Sequence, residues 1–390
     1  MHPRTPEQAS FAASIDAFCR AKTGTRAQRD ALTQHGVEAH NPRLYAEMAE
    51  LGWLGVGISP KYGGSDGGMA EMCLFAERTS YGLAPVGGYI TTAVAASPYA
   101  KFGSEAQKQK VLTGITRGRV EAISISEPDA GSDAAAITCR ATRTSGGFLV
   151  NGQKTWCSNA HFADHLLLVA RTQSSGSRHE GLTMFCVPTG TPGVEIRGIP
   201  TLNGKEVNDV FFTDCFLPED SVVGKVDQAW PQLMSGLNSE RLLLAASMLG
   251  RGRRAFDDAV AYVKERKQFG KPIGSFQALK HRIADLATEL ECCELLIYRV
   301  AQLADEAPDR MLPREASMAK LKTTETAKRV ALEGVQMMGG YGYATEYDME
   351  SHLRATVIST VYGGTSEIQR DIIGKTFGLQ ERLTTERDRQ

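Results

Sequence analysis

Several things are missing from this 390-residue chain, and each absence removes a class of function. No apolar run approaches the ~20 residues that a membrane-spanning helix needs, so no membrane partner is expected. Neither sign of charge is in excess. The 44 basic and 45 acidic residues leave a formal net charge of −1, which offers nothing to nucleic acid or to an anionic bilayer. The eight cysteines form no C-x-x-C pair and read as reduced, mostly buried thiols rather than a disulfide scaffold. His161 and His165 are four apart, but no H-E-x-x-H exists, and no metal site is expected. The opening stretch "MHPRTPEQASFAASIDAF" has no basic segment followed by a long apolar core, and no basic amphipathic transit segment is evident. A cytoplasmic location is the expectation. What remains is an ordinary globular composition, 42% apolar and 23% charged, in a chain long enough for two or three domains.

The spacing of apolar residues changes twice along the chain. "PEQASFAASIDAFCRA", "RLYAEMAELGWLGVG" and "MAEMCLFAERTSYGL" repeat at three and four residues and predict helices, with "SPKYGGSDGG" a loop between the last two. "SEAQKQKVLTGITRG" predicts a further helix, opened by a Ser cap and closed on Gly118. From about residue 121 short β-rich runs take over: "DHLLLVART", "GLTMFCVP", "GVEIRGI" and "VNDVFFTDCFL". "GGFLVNGQKTWCS" reads as strand, Asn-Gly turn, strand. After "LPEDSVVGK" helical spacing returns, and "SERLLLAASMLG" is apolar nearly all round, as in a helix inside a bundle. The expectation is an α+β chain with three domains: helical 1–121, β 122–226 and helical 227–390.

Seven segments in this order resemble the acyl-CoA dehydrogenase family: "LGWLGVGISPKYGG", "ISISEPDAGSDAAAI", "VNGQKTWCSNA", "FLPEDSVVGK", "ERKQFGKPIGSFQALKHRIADL", "QMMGGYGY" and "YGGTSEIQRDIIGK". The resemblance implies an N-terminal helical domain, a middle β domain and a C-terminal four-helix bundle, with FAD held between them. It implies that Ile125 and Ser126 lie along the flavin ring, that Gly131 lets the backbone approach, and that Ser132 offers a hydroxyl to cofactor or substrate. Read by itself, "EPDAGSD" is a polar turn between strands. Trp156 and Ser158 match the segment beside the isoalloxazine ring, although a lone Trp is more often core. Arg266 and Gln268 match residues that reach the FAD diphosphate of a neighbouring subunit, a task suited to the guanidinium fork. Phe269 and Gln277 match other cofactor contacts; Gln336, Gly339 and Gly340 match positions near the neighbour's cofactor; Thr365 and Glu367 match contacts after the "YGG" turn. The implied assembly is a homotetramer, a dimer of dimers.

One residue of the pattern is absent. Most members of the family carry a glutamate after the tyrosine of this turn, and it removes the α proton of the acyl thioester. Here Gly363 follows Tyr362, and Gly364 follows that. The family's isovaleryl-CoA and long-chain branch places its glutamate at the start of a C-terminal-domain helix, immediately before an arginine. "GLNSERLLLAA" puts Glu240 and Arg241 there. The reading is that Gly363 clears space beside the substrate and Glu240 is the base. The alternative is an acidic residue that merely complements a helix dipole, which predicts a solvated carboxylate. A second departure is Ala355 after Arg354, where the family usually has Asp, so an Arg-Asp pair is lost. Cys157 reads as a small packing residue.

The resemblance implies FAD-dependent α,β-desaturation of an acyl-CoA, with electrons passed to an electron-transfer flavoprotein. Three alternatives stay open: an acyl group on a carrier protein, an oxygen-using flavin enzyme on the same fold, and a non-catalytic subunit of a mixed tetramer. Acyl length and branching depend on ordinary apolar residues and are not legible.

Overall fold

The structure is a computed structural model that describes residues 4–174, 177–234, 236–308 and 310–379. The expected domain ends at residues 1–3 and 380–390 lie outside the described residues. Six helices come first: α1 (Pro6–Thr23), α2 (Arg26–Thr33), α3 (Pro42–Glu50), α4 (Met69–Tyr81), α5 (Gly88–Phe102) and α6 (Glu105–Thr116). Their starts are written in local chemistry. Thr5, Thr25 and Ser104 each form a capping box with the Gln three residues on, so orphan backbone N–H groups find partners. Asn41 caps α3, whose first residue is proline, where a missing N–H costs nothing. Helix α5 is not individually legible, because its Thr-, Gly- and Pro98-containing sequence carries weak helical preference.

Eight strands follow: β1 (Glu121–Ser124), β2 (Arg140–Thr144), β3 (Gly147–Ser158), β4 (His165–Arg171), β5 (Leu182–Pro188), β6 (Val194–Thr201), β7 (Gly204–Pro218) and β8 (Val222–Val223). They form one sheet in the order β6-β7-β3-β2-β4-β5-β8, with β1 beside β4. Strand β4 is apolar without alternation because both its faces are covered. Leu167 and Val169 pack towards Ala95, Tyr99 and Leu112 of α5 and α6, while Leu166, Leu168 and Ala170 join Phe148 and Phe185 on the other side. The Asn-Gly turn expected inside residues 147–158 is absent. Strand β3 runs straight through Asn151–Gly152, and the register shift there places the extra residue on the partner, between Phe212 and Cys215 of β7, where Asp214 stands at φ +46°. Gly152 holds φ at +145°, and a Cβ there would meet Cys139 Cα at 2.8 Å, so the glycine serves a bulge rather than a hairpin.

The remainder is helical: α7 (Ala229–Met234), α8 (Leu237–Glu265), a small hairpin of β9 (Lys267–Gln268) and β10 (Lys271–Pro272), α9 (Gln277–Glu306), α10 (Pro313–Met338), α11 (Gly340–Tyr343), α12 (Met349–Val357) and α13 (Ser366–Lys375). The bundle is built on the long helices α8, α9 and α10, with the shorter α12 and α13 against α10. A break between α12 and α13 is forced by Gly363 and Gly364, at φ +59° and +84°. Arg354, which lacks its expected Asp neighbour, pairs instead with Glu350 one turn earlier, at 2.7 and 3.1 Å. The three segments share one apolar core that runs from Ala12 through Phe75, Phe148 and Leu243 to Met349. Helices α4 and α8 meet in a close seam, where a Cβ on Gly250 would stand 2.0 Å from Glu77 O.

Candidate active site

The site residues of the β domain come together around a bulge. Strand β3 shifts register between Lys154 and Cys157. That shift turns Trp156 to φ +57° and leaves the residue 61% exposed, so it is no core residue. Beside it Thr155 N donates to Ser126 O at 2.9 Å, which ties the loop after β1 to β3. Ile125 is held from behind. Lys154, wholly buried, donates from Nζ to Ile125 O at 2.8 Å and to Glu127 Oε1 at 2.7 Å. Glu127 in turn accepts from Thr138 N, Thr138 Oγ1 and Cys139 N. Ser158 is half-buried at the end of β3, and Gly131 and Ser132 are exposed on the loop between β1 and β2. Cys157 points inward; burial pushes its thiol up to about 12, as suits a packing residue. His165 bonds Glu121 and His161 faces Asn208, each within its own pair.

The helical wall carries Glu240 and the two glycines. Glu240 sits in the first turn of α8 and is half-buried. Burial pushes its carboxyl above the ordinary range, and Arg241 and Lys320 pull it partly back. Gly363 faces it: a Cβ built there lies 3.7 Å from Glu240 Oε1 and 2.5 Å from Leu244 Cδ1. The two-glycine turn is held by Gln369, whose Nε2 donates to Gly363 O and Gly364 O, each at 2.9 Å. Lys320 Nζ also donates to Gly364 O at 2.9 Å. Thr365 then caps α13 by accepting from Ile368 N, and its hydroxyl together with the helix's own backbone holds exposed Glu367 below the usual range. Arg241 is half-buried with Nη1 3.4 Å from Asn238 Oδ1.

The remaining expected residues form a separate, exposed group at one end of the bundle. Arg266 lies 5.5 Å from the Tyr341 ring, next to Gly339 and Gly340. Phe269, at φ +54°, is 91% exposed and sits 6.0 Å from the Phe276 ring, beside Gln277. Gln268, Gln277 and Gln336 are exposed as well. Among the described residues no hydrogen bond, ion pair or ring contact joins this group to Glu240.

Each of the three segments matches a domain of one family. Residues 5–119 match the acyl-CoA dehydrogenase N-terminal domain, 122–215 the middle domain and 227–378 the C-terminal domain. The chain belongs to the acyl-CoA dehydrogenase family. Mitochondrial isovaleryl-CoA dehydrogenase of Solanum tuberosum is 33% identical over 375 residues, covering 94% of this chain and 90% of that one. A solved FAD complex of PigA superposes with a TM-score of 0.90 at 27% identity, over 97% of this chain and 99% of that one. The prolyl acyl carrier protein oxidase AnaB superposes at 0.87 with 26% identity, over 97% and 100%. Membership explains the order of the segments but not what braces the site of this acyl-CoA dehydrogenase relative. Lys154, Glu127, Lys320 and Gln369 escape a reading of the sequence, since a lone Lys or Gln reads as a solvated side chain. A signal for Lys320 exists: Ala316, Thr323, Thr324 and Ala327 share its helix face, and all are buried.

Proposed function

We propose that the protein is an FAD-dependent acyl-CoA dehydrogenase in which Glu240 takes the α proton of the acyl thioester. The observation that carries this reading is the 3.7 Å between Glu240 Oε1 and the Cβ position of Gly363. A carboxylate on α8 thus reaches the space that a side chain at 363 would enter. A raised carboxyl is also a better base for a weakly acidic C–H, and it argues against the solvated first-turn residue.

The residues fit FAD. Trp156 offers a flat face, Ile125 and Ser126 backbone groups fixed by Lys154 and Thr155, and Ser158 a hydroxyl. At the start of α13, Ser366 Oγ is buried with no hydrogen-bond partner among the described residues. Bound FAD supplies the acceptor for the β hydride. The roles of Gly131, Ser132, Arg241, Thr365 and Glu367 towards cofactor and substrate belong to this same reading. The exposed group around Arg266, Gln268, Phe269, Gln277, Gln336, Gly339 and Gly340 supports a homotetramer in which it meets a neighbour's cofactor. An electron-transfer flavoprotein is the proposed acceptor, and the eight free thiols suit a reducing cytoplasm.

Anaerobic mixing of the flavin-loaded protein with a panel of acyl-CoAs tests the reading. Flavin absorbance should bleach, and Glu240→Gln should slow bleaching about 10²–10⁴-fold. Undiminished bleaching in Glu240→Gln would remove the role from that carboxylate. The likeness to AnaB keeps a second reading, an acyl group on a carrier protein. Bleaching by the carrier-bound thioester and by no acyl-CoA would favour it.

A further inference from the structure

Among the described residues two lysines are sealed from solvent, Lys154 and Lys320, each at 0% exposure. A buried ammonium needs a counter-charge. Lys154 has one in contact, Glu127 at 2.7 Å. Lys320 has no ion-pair partner among the described residues; its Nζ donates to Gly364 O and lies 5.8 Å from the Tyr362 ring centre. Burial drags its proton affinity down to about 8.

The charged groups around it are few. On its own helix Glu325 is already neutralised by Arg370, at 2.7 Å. On α13 Glu367 is exposed and engaged with its own backbone, so water screens it. On α8 stand Arg241, which opposes the lysine's charge, and Glu240, the carboxylate that does most to keep it. Glu240 feels the same attraction, second to that of Arg241. The hydrogen bond to Gly364 O puts the ammonium one residue from Gly363, and Gly363 is the residue Glu240 faces.

We propose that Lys320 is a positioning residue for Glu240: it fixes the two-glycine turn from behind and shares with Arg241 the counter-charge of that carboxylate. The proposal deepens, and for its catalytic meaning rests on, the reading of Glu240 as the base. With Lys320 charged, Glu240 stays ionised to lower pH than its buried position would otherwise allow. The Gly364 carbonyl is meanwhile anchored, so that residue 363 does not move onto the carboxylate.

A thermal double-mutant cycle tests the coupling without any substrate. Flavin-loaded wild type, Lys320→Met, Glu240→Gln and the double variant are melted at pH 7. Lys320→Met should lower Tm more when Glu240 is present than in the Glu240→Gln background. If Lys320→Met alone fails to fold, the double variant should recover folding; failure of both overturns the proposal. The second measurement is the pH dependence of flavin bleaching by acyl-CoA. Lys320→Met, and Lys320→Gln, which keeps a donor for Gly364 O, should move the acid limb to higher pH. A residue that only props the turn would lower the rate at every pH and leave the limb in place. Equal Tm losses in the two backgrounds, or a limb unmoved in both variants, overturns the proposal. If no acyl-CoA bleaches the wild type, the proposed function fails, and the cycle still decides whether the two residues are coupled.

Discussion

Lys154 and Lys320 stand behind the two groups of residues proposed to wall one site, and they differ in how their charge is answered. Lys154 touches Glu127, which is itself bound by two backbone N–H groups and a hydroxyl, so the β wall is electrostatically closed. Lys320 braces the helical wall with one carbonyl bond and leaves its charge to a carboxylate across the turn. A closed pair holds shape and is indifferent to what happens in the site. An open one ties the shape of the turn to the ionisation of Glu240, the proposed base. The first arrangement suits the proposed cofactor wall, which must not move, the second the wall that carries the proposed proton acceptor.

The comparison can be broken at several points. Lys154→Met should do the most damage, because it leaves Glu127 buried and unanswered. A loss of about 3–5 kcal/mol in denaturant unfolding is expected, and any folded fraction should keep the acid limb of wild type. A limb that shifted with Lys154 would erase the distinction between the walls. Gly363→Ala comes next. Its Cβ would collide with Leu244 Cδ1 at 2.5 Å in a backbone held at φ +59°. Strain and overpacking of about 1–3 kcal/mol should appear in the melting curve, together with slower bleaching, because Glu240 is the next neighbour. Full stability and full activity in that variant would mean the turn has slack and needs no brace. Phe269→Ser, far from both walls, should change the unfolding free energy by less than about 0.5 kcal/mol, since the ring is 91% exposed. Its effect should fall on assembly, read as a smaller mass in light scattering and weaker flavin retention. An unchanged mass would leave the exposed group without the neighbour proposed for it.

Much of this was legible before any coordinates. The helix under "SERLLLAASMLG" is buried as its all-round apolar pattern predicts, with Leu242, Leu243, Ala245, Ala246 and Leu249 in the core. Four of the β-rich runs are strands β4 to β7. The Asn-Gly signal misled because a glycine outside the usual φ range serves a bulge as well as a turn, and only pairing with β7 distinguishes them. A substitute for the missing glutamate could be sought because a glycine stood where a carboxylate was due, and Glu240 is the one proposed. The buried lysines were harder to find: Lys154 carries no local mark, the buried helix face around Lys320 is its one local signal, and the partner of each lies in another element. Glu127 is 27 residues from Lys154 along the chain, and Gly364 is 44 from Lys320.

The seam at Gly250 has a consequence for how the chain is made. The α4 backbone fits against α8 only where Gly250 carries no side chain, and Phe75 and Leu74 on α4 belong to the same core as Leu243 and Leu249. During synthesis α4 leaves the ribosome with that face bare, and the whole β domain must follow before α8 arrives to cover it. The first helices therefore wait, partly uncovered, for a partner encoded far downstream. A fragment ending before α8 is therefore expected to leave the Leu74 and Phe75 face uncovered and to be prone to aggregation.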